Sequence, residues 1–282
     1  MDDKAASGRR HLTVPLALIV LGLAGAVFYS WWADLPFSAP LAYTVPTWSR
    51  VQFFERHALY AWLHLFAVLP VFALSFDKRV HFYTSWRHLF PAALIVGAFF
   101  ILWDVIFTAK GVWGFNEAYF LGLRLLGLPM EEWLFFVTIP FASIFIYECL
   151  NYYVPKDWLA PADRFLSPIL ILGLLLVGLL NFSSIYTSSS CLLTGGFLLV
   201  HWLCFPNTYR TRFYFAYLII WIPFLLVDGV LTGAATAAPI VLYNPEEFLG
   251  IRIVSVPIED SVYGFLLLFG VVTIMEFWRE KR

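Results

Sequence analysis

The sequence predicts an all-α, polytopic membrane protein with about eight transmembrane helices. Of the 282 residues, 61% are hydrophobic and 13% are charged, whereas soluble domains carry roughly 25% charged residues. Apolar runs of about 20 residues, the length that crosses the hydrocarbon core, recur along the chain. A proline-led motif with two adjacent acids occurs twice. These observations predict two parallel three-helix repeats, a linker helix between them and one further N-terminal helix.

The predicted helices follow one another along the whole chain. They cover residues 12–32, 57–76, 88–108, 130–150, 166–182, 190–205, 213–233 and 260–278. The first is interpreted as a retained transmembrane helix rather than a signal peptide, because it lacks a clear small-residue cleavage site. Residues 33–55 are rich in proline and aromatic residues and are predicted to form a loop. The runs at 166–182 and 190–205 are the shortest of the eight.

Lysine and arginine residues are distributed unevenly across the predicted membrane. With a cytoplasmic N-terminus, 13 of the 18 basic residues fall on the cytoplasmic side and 5 on the other. The positive-inside rule then predicts that both termini are cytoplasmic, and a bacterial plasma membrane is the expected location. The net charge of −1 gives no reason to expect nucleic acid as a partner.

A duplication organises the predicted helices. The motif Pro129-Met130-Glu131-Glu132 recurs 128 residues later as Pro257-Ile258-Glu259-Asp260. At the same offset, Asn116 matches Asn244, Gly122 matches Gly250, Arg124 matches Arg252 and Phe135 corresponds to Tyr263; Asp104 and Thr108 match Asp228 and Thr232 at an offset of 124. So many matches in register indicate an internal repeat.

The repeat divides the chain into four parts. Residues 1–56 form an N-terminal extension with one helix and a loop, 57–150 the first repeat, 151–189 the linker helix and 190–282 the second repeat. Because a single helix joins two three-helix units, both units have the same orientation in the membrane. A pseudo-two-fold axis along the membrane normal would bring the two acidic motifs to the same depth, facing each other.

The acidic residues of the two motifs are the candidate catalytic groups. Helix capping is one interpretation, since the helix dipole favours a carboxylate in the first turn. Capping does not require two adjacent acids, however, and an ionised acid within the bilayer costs on the order of 3 kcal/mol. Two facing pairs can supply a general acid and a general base. We expect Glu131 and Glu259 to be the acid–base pair, tuned by Glu132 and Asp260.

Aromatic side chains near these acids are candidates for stabilising a carbocation. Phe135 and Tyr263 lie one helical turn beyond Glu131 and Glu259, and an aromatic face attracts a cation. Ordinary helix packing is the alternative for each of them. Three tryptophans complete this candidate set: Trp103, Trp113 and Trp133.

The remaining matched polar residues are expected to support the site. Asp104 and Asp228 end their helices, where an acid opposes the helix dipole, so a structural clamp to Arg124 and Arg252 is predicted. Two further matched residues, Asn116 and Asn244, are expected to close loop turns. No metal site is expected, because the histidines and the three cysteines lack the spacing of a ligand set. No dinucleotide, Walker A or aspartate-rich motif occurs, so no cofactor is predicted.

At these residues the sequence resembles the small membrane-integral lycopene cyclases of carotenoid biosynthesis. Both P-x-E-[ED] motifs carry the resemblance, together with residues 72–77, 103–108 and 111–116. It covers roughly residues 57–278, and the chain is similar to a fused form of the two-subunit bacterial type and to the cyclase half of the bifunctional fungal enzyme. Residues 1–56 depart from that pattern.

The resemblance implies an intramolecular lyase, or isomerase, that acts on lycopene dissolved in the lipid bilayer. An acid protonates the end of the polyene, the cation closes a β-ionone ring, and a base removes a proton, giving β-carotene through γ-carotene. Because the product is an isomer of the substrate, the reaction needs no net redox cofactor. Other enzymes of carotenoid biosynthesis are candidate partners.

Two other functions are compatible with the same residues. One is a cyclase for other or longer carotenoids, including one that makes ε-rings. The other is a proton-coupled transporter of small solutes, because a 3+1+3 parallel repeat is also a transporter architecture and intramembrane carboxylates can couple protons.

Overall fold

The computed structural model describes residue 54 and residues 56–205 and 209–280. Within these ranges the chain is all-α with little strand, as the sequence predicts. It contains seven α-helices: α1 (Leu59–Leu74), α2 (Trp86–Lys110), α3 (Met130–Tyr153), α4 (Asp163–Leu180), α5 (Ile185–Cys204), α6 (Arg210–Leu231) and α7 (Ile258–Arg279). The helix predicted at 12–32 and nearly all of the loop at 33–55 lie outside the described residues.

Six of the described helices, α2 to α7, are long and apolar enough to cross a membrane. The linker helix α4 is one of them, although it was among the shortest predicted runs. The remaining helix, α1, has 16 residues and contains Pro70, so it is shorter than the roughly 20 residues that a full span needs. Large apolar side chains such as Ile169 and Leu180 point outward, which suits contact with lipid.

Helix α5 begins earlier than the sequence predicts. Its first turns contain Thr187, Ser188, Ser189 and Ser190, all buried, whereas hydropathy had placed the start of this helix at residue 190. The hydroxyls of Ser188 and Ser189 bond back to the carbonyl of Ile185, so these polar side chains are satisfied within the helix. The predicted domain boundary at 190 therefore falls inside α5.

The two three-helix units pack in the same way. In the first, α1 and α2 both contact α3; in the second, α5 and α6 both contact α7. Between the units, α2 contacts α7, α3 contacts α6, and α3 contacts α7. Exchange of the units leaves this set of contacts unchanged, which is what a two-fold relation between them requires.

A short antiparallel ladder lies on the pseudo-two-fold axis. Strand β1 (Trp113–Phe115) pairs with β4 (Val241–Tyr243), and Gly114 faces Leu242, which is its own equivalent at the offset of 128. The backbone bonds that flank the ladder are also equivalent: Asn116 N–H donates to Ile240 O, and Asn244 N–H donates to Val112 O, each at 2.8 Å. The ladder thus joins the two loops that precede the acidic motifs.

Two smaller hairpins lead directly into the acidic helices. Strands β2 (Arg124–Leu125) and β3 (Leu128–Pro129) form the first, and β5 (Arg252–Ile253) and β6 (Val256–Pro257) form the second. Each ends on the proline that caps α3 or α7. The fixed φ of proline suits a helix start, so each hairpin sets where the first acidic turn begins.

The linker helix α4 packs closely against α5. A Cβ atom added at Gly178 would lie 2.7 Å from Leu192 Cγ and 3.2 Å from Cys191 Cβ. A Cβ atom added at Gly195 of α5 would likewise lie 3.0 Å from the side chain of Leu175 on α4. Small residues allow helices to approach closely in a membrane, and here they attach the linker to the second unit.

Replacing Gly178 by alanine should destabilise the protein, because overpacking of this kind costs roughly 1–3 kcal/mol. Gly173→Ala on the same helix is the matched control, since nothing lies within 4 Å of its added Cβ and alanine has the higher helix propensity. Thermal unfolding of the full chain in detergent measures the difference. A Gly178→Ala variant as stable as the control would contradict the close α4–α5 contact.

Candidate active site

A cavity lies between the two units, beneath the β1–β4 ladder. Four carboxyl groups line it, two from each unit: Asp104, Glu132, Asp228 and Asp260. Aromatic side chains form much of the rest of the wall: Tyr60, Trp113, Phe115, Phe135, Tyr186, Phe224, Tyr243 and Tyr263. An enclosed group of acids in apolar and aromatic surroundings is typical of a site where protons are transferred.

The second acid of each motif lines this cavity, whereas the first lies outside its wall. Successive residues of an α-helix point about 100° apart, so two adjacent acids cannot face the same space. Glu132 and Asp260 face the cavity. Glu131 and Glu259 are just as buried, each 1% exposed, but they bind the loop in front of their helix.

Glu132 belongs to a hydrogen-bonded group within the first unit. The Tyr60 hydroxyl donates to Glu132 Oε2 at 2.5 Å. The Glu132 carboxyl also lies within hydrogen-bonding reach of Asp104. Asp104 in turn accepts from Trp113 Nε1 at 2.5 Å and from the Thr108 hydroxyl at 3.3 Å. These contacts hold both carboxyls of the first unit at the cavity wall.

Asp260 occupies the equivalent position in the second unit. It accepts from the Tyr186 hydroxyl on one oxygen and from the Tyr243 hydroxyl, at 2.9 Å, on the other. Burial raises the pKa of Tyr243 well above its ordinary value, and the nearby charge of Asp260 adds to this effect, so the Tyr243 hydroxyl remains a donor. The Asp260 carboxyl lies within reach of Asp228.

Each unit therefore supplies two carboxyl groups that lie close together at the wall of the same cavity. Two carboxylates in contact repel each other strongly in apolar surroundings, so such a pair is stable when its members share one proton. A pair of this kind holds a proton that can be given and a lone pair that can accept one. The cavity brings two such pairs together.

Glu131 and Glu259 anchor the loops in front of α3 and α7. The backbone N–H of Leu121 donates to Glu131 Oε1 at 2.7 Å, and that of Leu249 donates to Glu259 Oε1 at 2.8 Å. Glu259 also accepts from the Thr187 hydroxyl at 2.6 Å. The sequence prediction made Glu131 and Glu259 the acid–base pair, tuned by Glu132 and Asp260. This placement favours the opposite assignment.

The predicted clamps between aspartate and arginine are wrong. Arg124 donates to Gly127 O at 2.8 Å and pairs with Glu117 at 3.1 Å. Its equivalent Arg252 donates to Ser255 O at 2.5 Å. Both guanidinium groups also lie over an aromatic ring, Phe120 or Phe248. The arginines thus brace the two hairpins, because their long side chains reach the nearest turn carbonyl rather than the buried aspartates.

The matched asparagines close loop turns, in agreement with the prediction. Asn116 Oδ1 accepts from Ala118 N–H, and Asn244 Oδ1 accepts from Glu246 N–H, each at 3.1 Å. Neither asparagine is part of the cavity wall. Their role is to shape the chain at the two ends of the β1–β4 ladder.

The predicted aromatic residues lie in three different places. Phe135, Trp113 and Tyr263 line the cavity. Trp103 lies behind that wall, with its ring centroid 5.1 Å from that of Tyr263. Trp133 is on the outside, where its Nε1 donates to Leu125 O at 3.1 Å. Of these aromatic residues, only Phe135, Trp113 and Tyr263 can contact a ligand in the cavity directly.

Three tyrosines of the site are absent from the predicted set. Tyr60 and Tyr186 each donate to the cavity acid of their own unit, and they match at an offset of 126. Extending the repeat comparison upstream would have found them. Tyr243 has no such signal, because its equivalent in the first unit is Phe115, which lacks a hydroxyl.

Comparison with known families agrees with this arrangement. The family described as lycopene cyclase matches residues 57–150 and again residues 183–278. The chain belongs to the lycopene cyclase family. It is therefore a membrane-embedded cyclase of carotenoid biosynthesis with a carotenoid substrate, as the motifs had indicated. Searches of the curated proteins and of the solved structures found no match.

Replacing Glu259 by alanine should destabilise this cyclase more than replacing it by glutamine. Glutamine keeps an oxygen that can accept from Leu249 N–H and the Thr187 hydroxyl, whereas alanine leaves both donors without their acceptor, at roughly 1–3 kcal/mol. Thermal unfolding in detergent measures the two variants side by side. Equal unfolding temperatures would show that Glu259 does not anchor the loop.

Proposed function

We propose that this lycopene cyclase converts the linear ends of lycopene into β-ionone rings by acid–base chemistry, giving β-carotene through γ-carotene. The observation that supports this reaction most is the convergence of four carboxyl groups, two from each repeat, on a single aromatic cavity. The enzyme is then an isomerase of the intramolecular lyase class.

The reaction begins with a proton from the Glu132–Asp104 pair. This proton adds to the terminal double bond of lycopene and leaves a tertiary carbocation. The neighbouring double bond attacks the cation, so one carbon–carbon bond forms, the six-membered ring closes and the positive charge moves onto the ring. The aromatic faces of Phe135 and Tyr263 line this space and stabilise the positive charge.

The Asp260–Asp228 pair completes the reaction as the base. Both oxygens of Asp260 accept from tyrosine hydroxyls, an arrangement that suits the ionised carboxylate. Removal of a proton from the ring carbon next to the cation forms the ring double bond. One proton enters and one leaves, so substrate and product are isomers. The proton removed determines the ring type: loss from the ring carbon that carries the polyene chain gives the β-ring, and loss from the ring CH2 on the other side of the cation gives the ε-ring.

The Glu132→Gln and Asp260→Asn variants should lose cyclisation by roughly 10²-fold or more, because each removes a group that exchanges protons with the substrate. The full chain is expressed in a lycopene-accumulating host, and the pigments are separated by chromatography. In the wild type, γ-carotene should appear before β-carotene, since one cavity closes one ring per binding event.

Glu131→Gln is the matched control for this experiment. The glutamine can still accept from Leu121 N–H, so this variant should keep most of its activity. A Glu131→Gln variant as inactive as Glu132→Gln would return the acid–base role to Glu131. Unchanged lycopene in the presence of inserted wild-type protein would refute the proposed reaction.

By the positive-inside rule, the distribution of basic residues places both termini in the cytoplasm of a bacterium. The β1–β4 ladder and the cavity beneath it then lie toward the outer face of the plasma membrane. A cysteine at Lys156, in an exposed loop, should then react with a membrane-impermeant thiol reagent only in inside-out vesicles. A cysteine at Leu123, on the hairpin side and 64% exposed, should react only in intact spheroplasts. Labelling of both cysteines from one side would contradict this orientation.

A further inference from the structure

A second cavity opens between α1, α3 and α6. We call it the lateral groove. It shares part of its wall with the carboxyl cavity, because both are lined by Phe135, Ile139, Phe224 and Asp228. The two spaces are therefore adjacent, and these four side chains lie where they adjoin.

The lateral groove is long and almost wholly apolar. Apart from Ser143 and Asp228, its wall consists of hydrocarbon and aromatic side chains and Pro70 and Pro223. On α3 the lining runs from Phe135 to Ile146. At 1.5 Å per residue this strip is about 16 Å long. A groove of this shape suits an extended hydrocarbon chain rather than a compact or polar molecule.

The groove is open toward the lipid side of the helices. Three of its lining residues have large exposed fractions: Phe66 is 67% exposed, Leu226 65% and Leu74 53%. These residues belong to α1 and α6, which form the two edges of the groove. A molecule dissolved in the bilayer can therefore reach the groove from the side, without passing through water.

The equivalent space in the second unit, between α5, α7 and α2, is closed at the matching position. Ala142 lines the groove, and its equivalent at the offset of 128 is Gly270 on α7. A Cβ atom at Gly270 would lie 3.3 Å from Val96 of α2, so these two helices are in direct contact. Nearby, Phe100 of α2 packs edge-on against Tyr263 at 4.7 Å. The internal symmetry is broken here.

We propose that the lateral groove holds the linear body of the polyene while one of its ends lies between the carboxyl pairs. This inference rests on the proposed cyclisation, and it identifies where the part of the substrate that does not react is bound. Three observations select this occupant: the groove is apolar, it adjoins the carboxyl cavity, and it opens to the bilayer. Because the equivalent space in the second unit is closed at the matching position, the second ring requires the substrate to leave and return with its other end first.

Filling the groove tests this proposal. Ala67→Trp places a large side chain in the groove on α1, at a position that does not line the carboxyl cavity, and Ala142→Leu adds a smaller obstruction on α3. Leu69→Trp is the matched control, because Leu69 lies on the same helix as Ala67, is 58% exposed and is not part of the groove wall. All variants are measured as the full chain in lipid vesicles, with rates expressed per amount of inserted protein.

Two substrates separate the groove from the chemistry. One is lycopene, and the other is a short linear terpenoid with the same reactive end but no long polyene body. Ala67→Trp and Ala142→Leu should lower the ratio of the lycopene rate to the short-substrate rate by about tenfold or more, because overpacking opposes the long chain alone. Leu69→Trp should leave this ratio unchanged.

Several outcomes would overturn the groove assignment. They are an unchanged ratio in both groove variants, an equal loss of rate with both substrates, or the same change of ratio in Leu69→Trp. A wild-type enzyme that cyclises neither substrate would instead refute the proposed function. The failure of one proposal is thus distinguishable from the failure of the other.

Discussion

Four carboxyl groups are held together inside an apolar protein, and the rest of the structure serves to keep them there. Burial of an acid in the membrane is unfavourable unless it is hydrogen-bonded or neutralised. Here tyrosine and tryptophan donors hold both acids of the first unit, Glu132 and Asp104, and tyrosine donors hold Asp260 of the second. The β1–β4 ladder and the two hairpins fix where each acidic helix begins, and so where its second acid points.

The two-fold relation brings the pairs together, and departures from it make them different. Phe115 and Tyr243 are equivalent positions, yet only the tyrosine can donate to a carboxylate. Ala142 and Gly270 are equivalent as well, yet one borders an open groove and the other a close helix contact. A proton-donating and a proton-accepting side need such differences, because two identical halves would offer identical chemistry to the substrate.

Much of the fold and part of the site could be predicted from the sequence alone. Hydropathy predicted the ends of the described helices within a few residues, except at the start of α5. There the polar side chains of a buried Thr-Ser-Ser-Ser run lower the local hydropathy. The repeat offset of 128 identified both acidic motifs and the turn-closing asparagines. It did not reveal which member of each acidic pair faces the cavity, because that depends on the rotation of α3 and α7 about their axes. It also led to the wrong partners for Arg124 and Arg252.

The sequence by itself determined the membrane class, the duplication, the family resemblance and the two acidic motifs, since composition and repeated residues are properties of the chain. Only the tertiary structure decided that Glu132 and Asp260 line the cavity, that Tyr60 and Tyr186 hold them, and that a groove opens between α1, α3 and α6. The physical reason is that these features arise from helix rotation and from packing between segments far apart in sequence. Local patterns along the chain do not record how such segments approach one another.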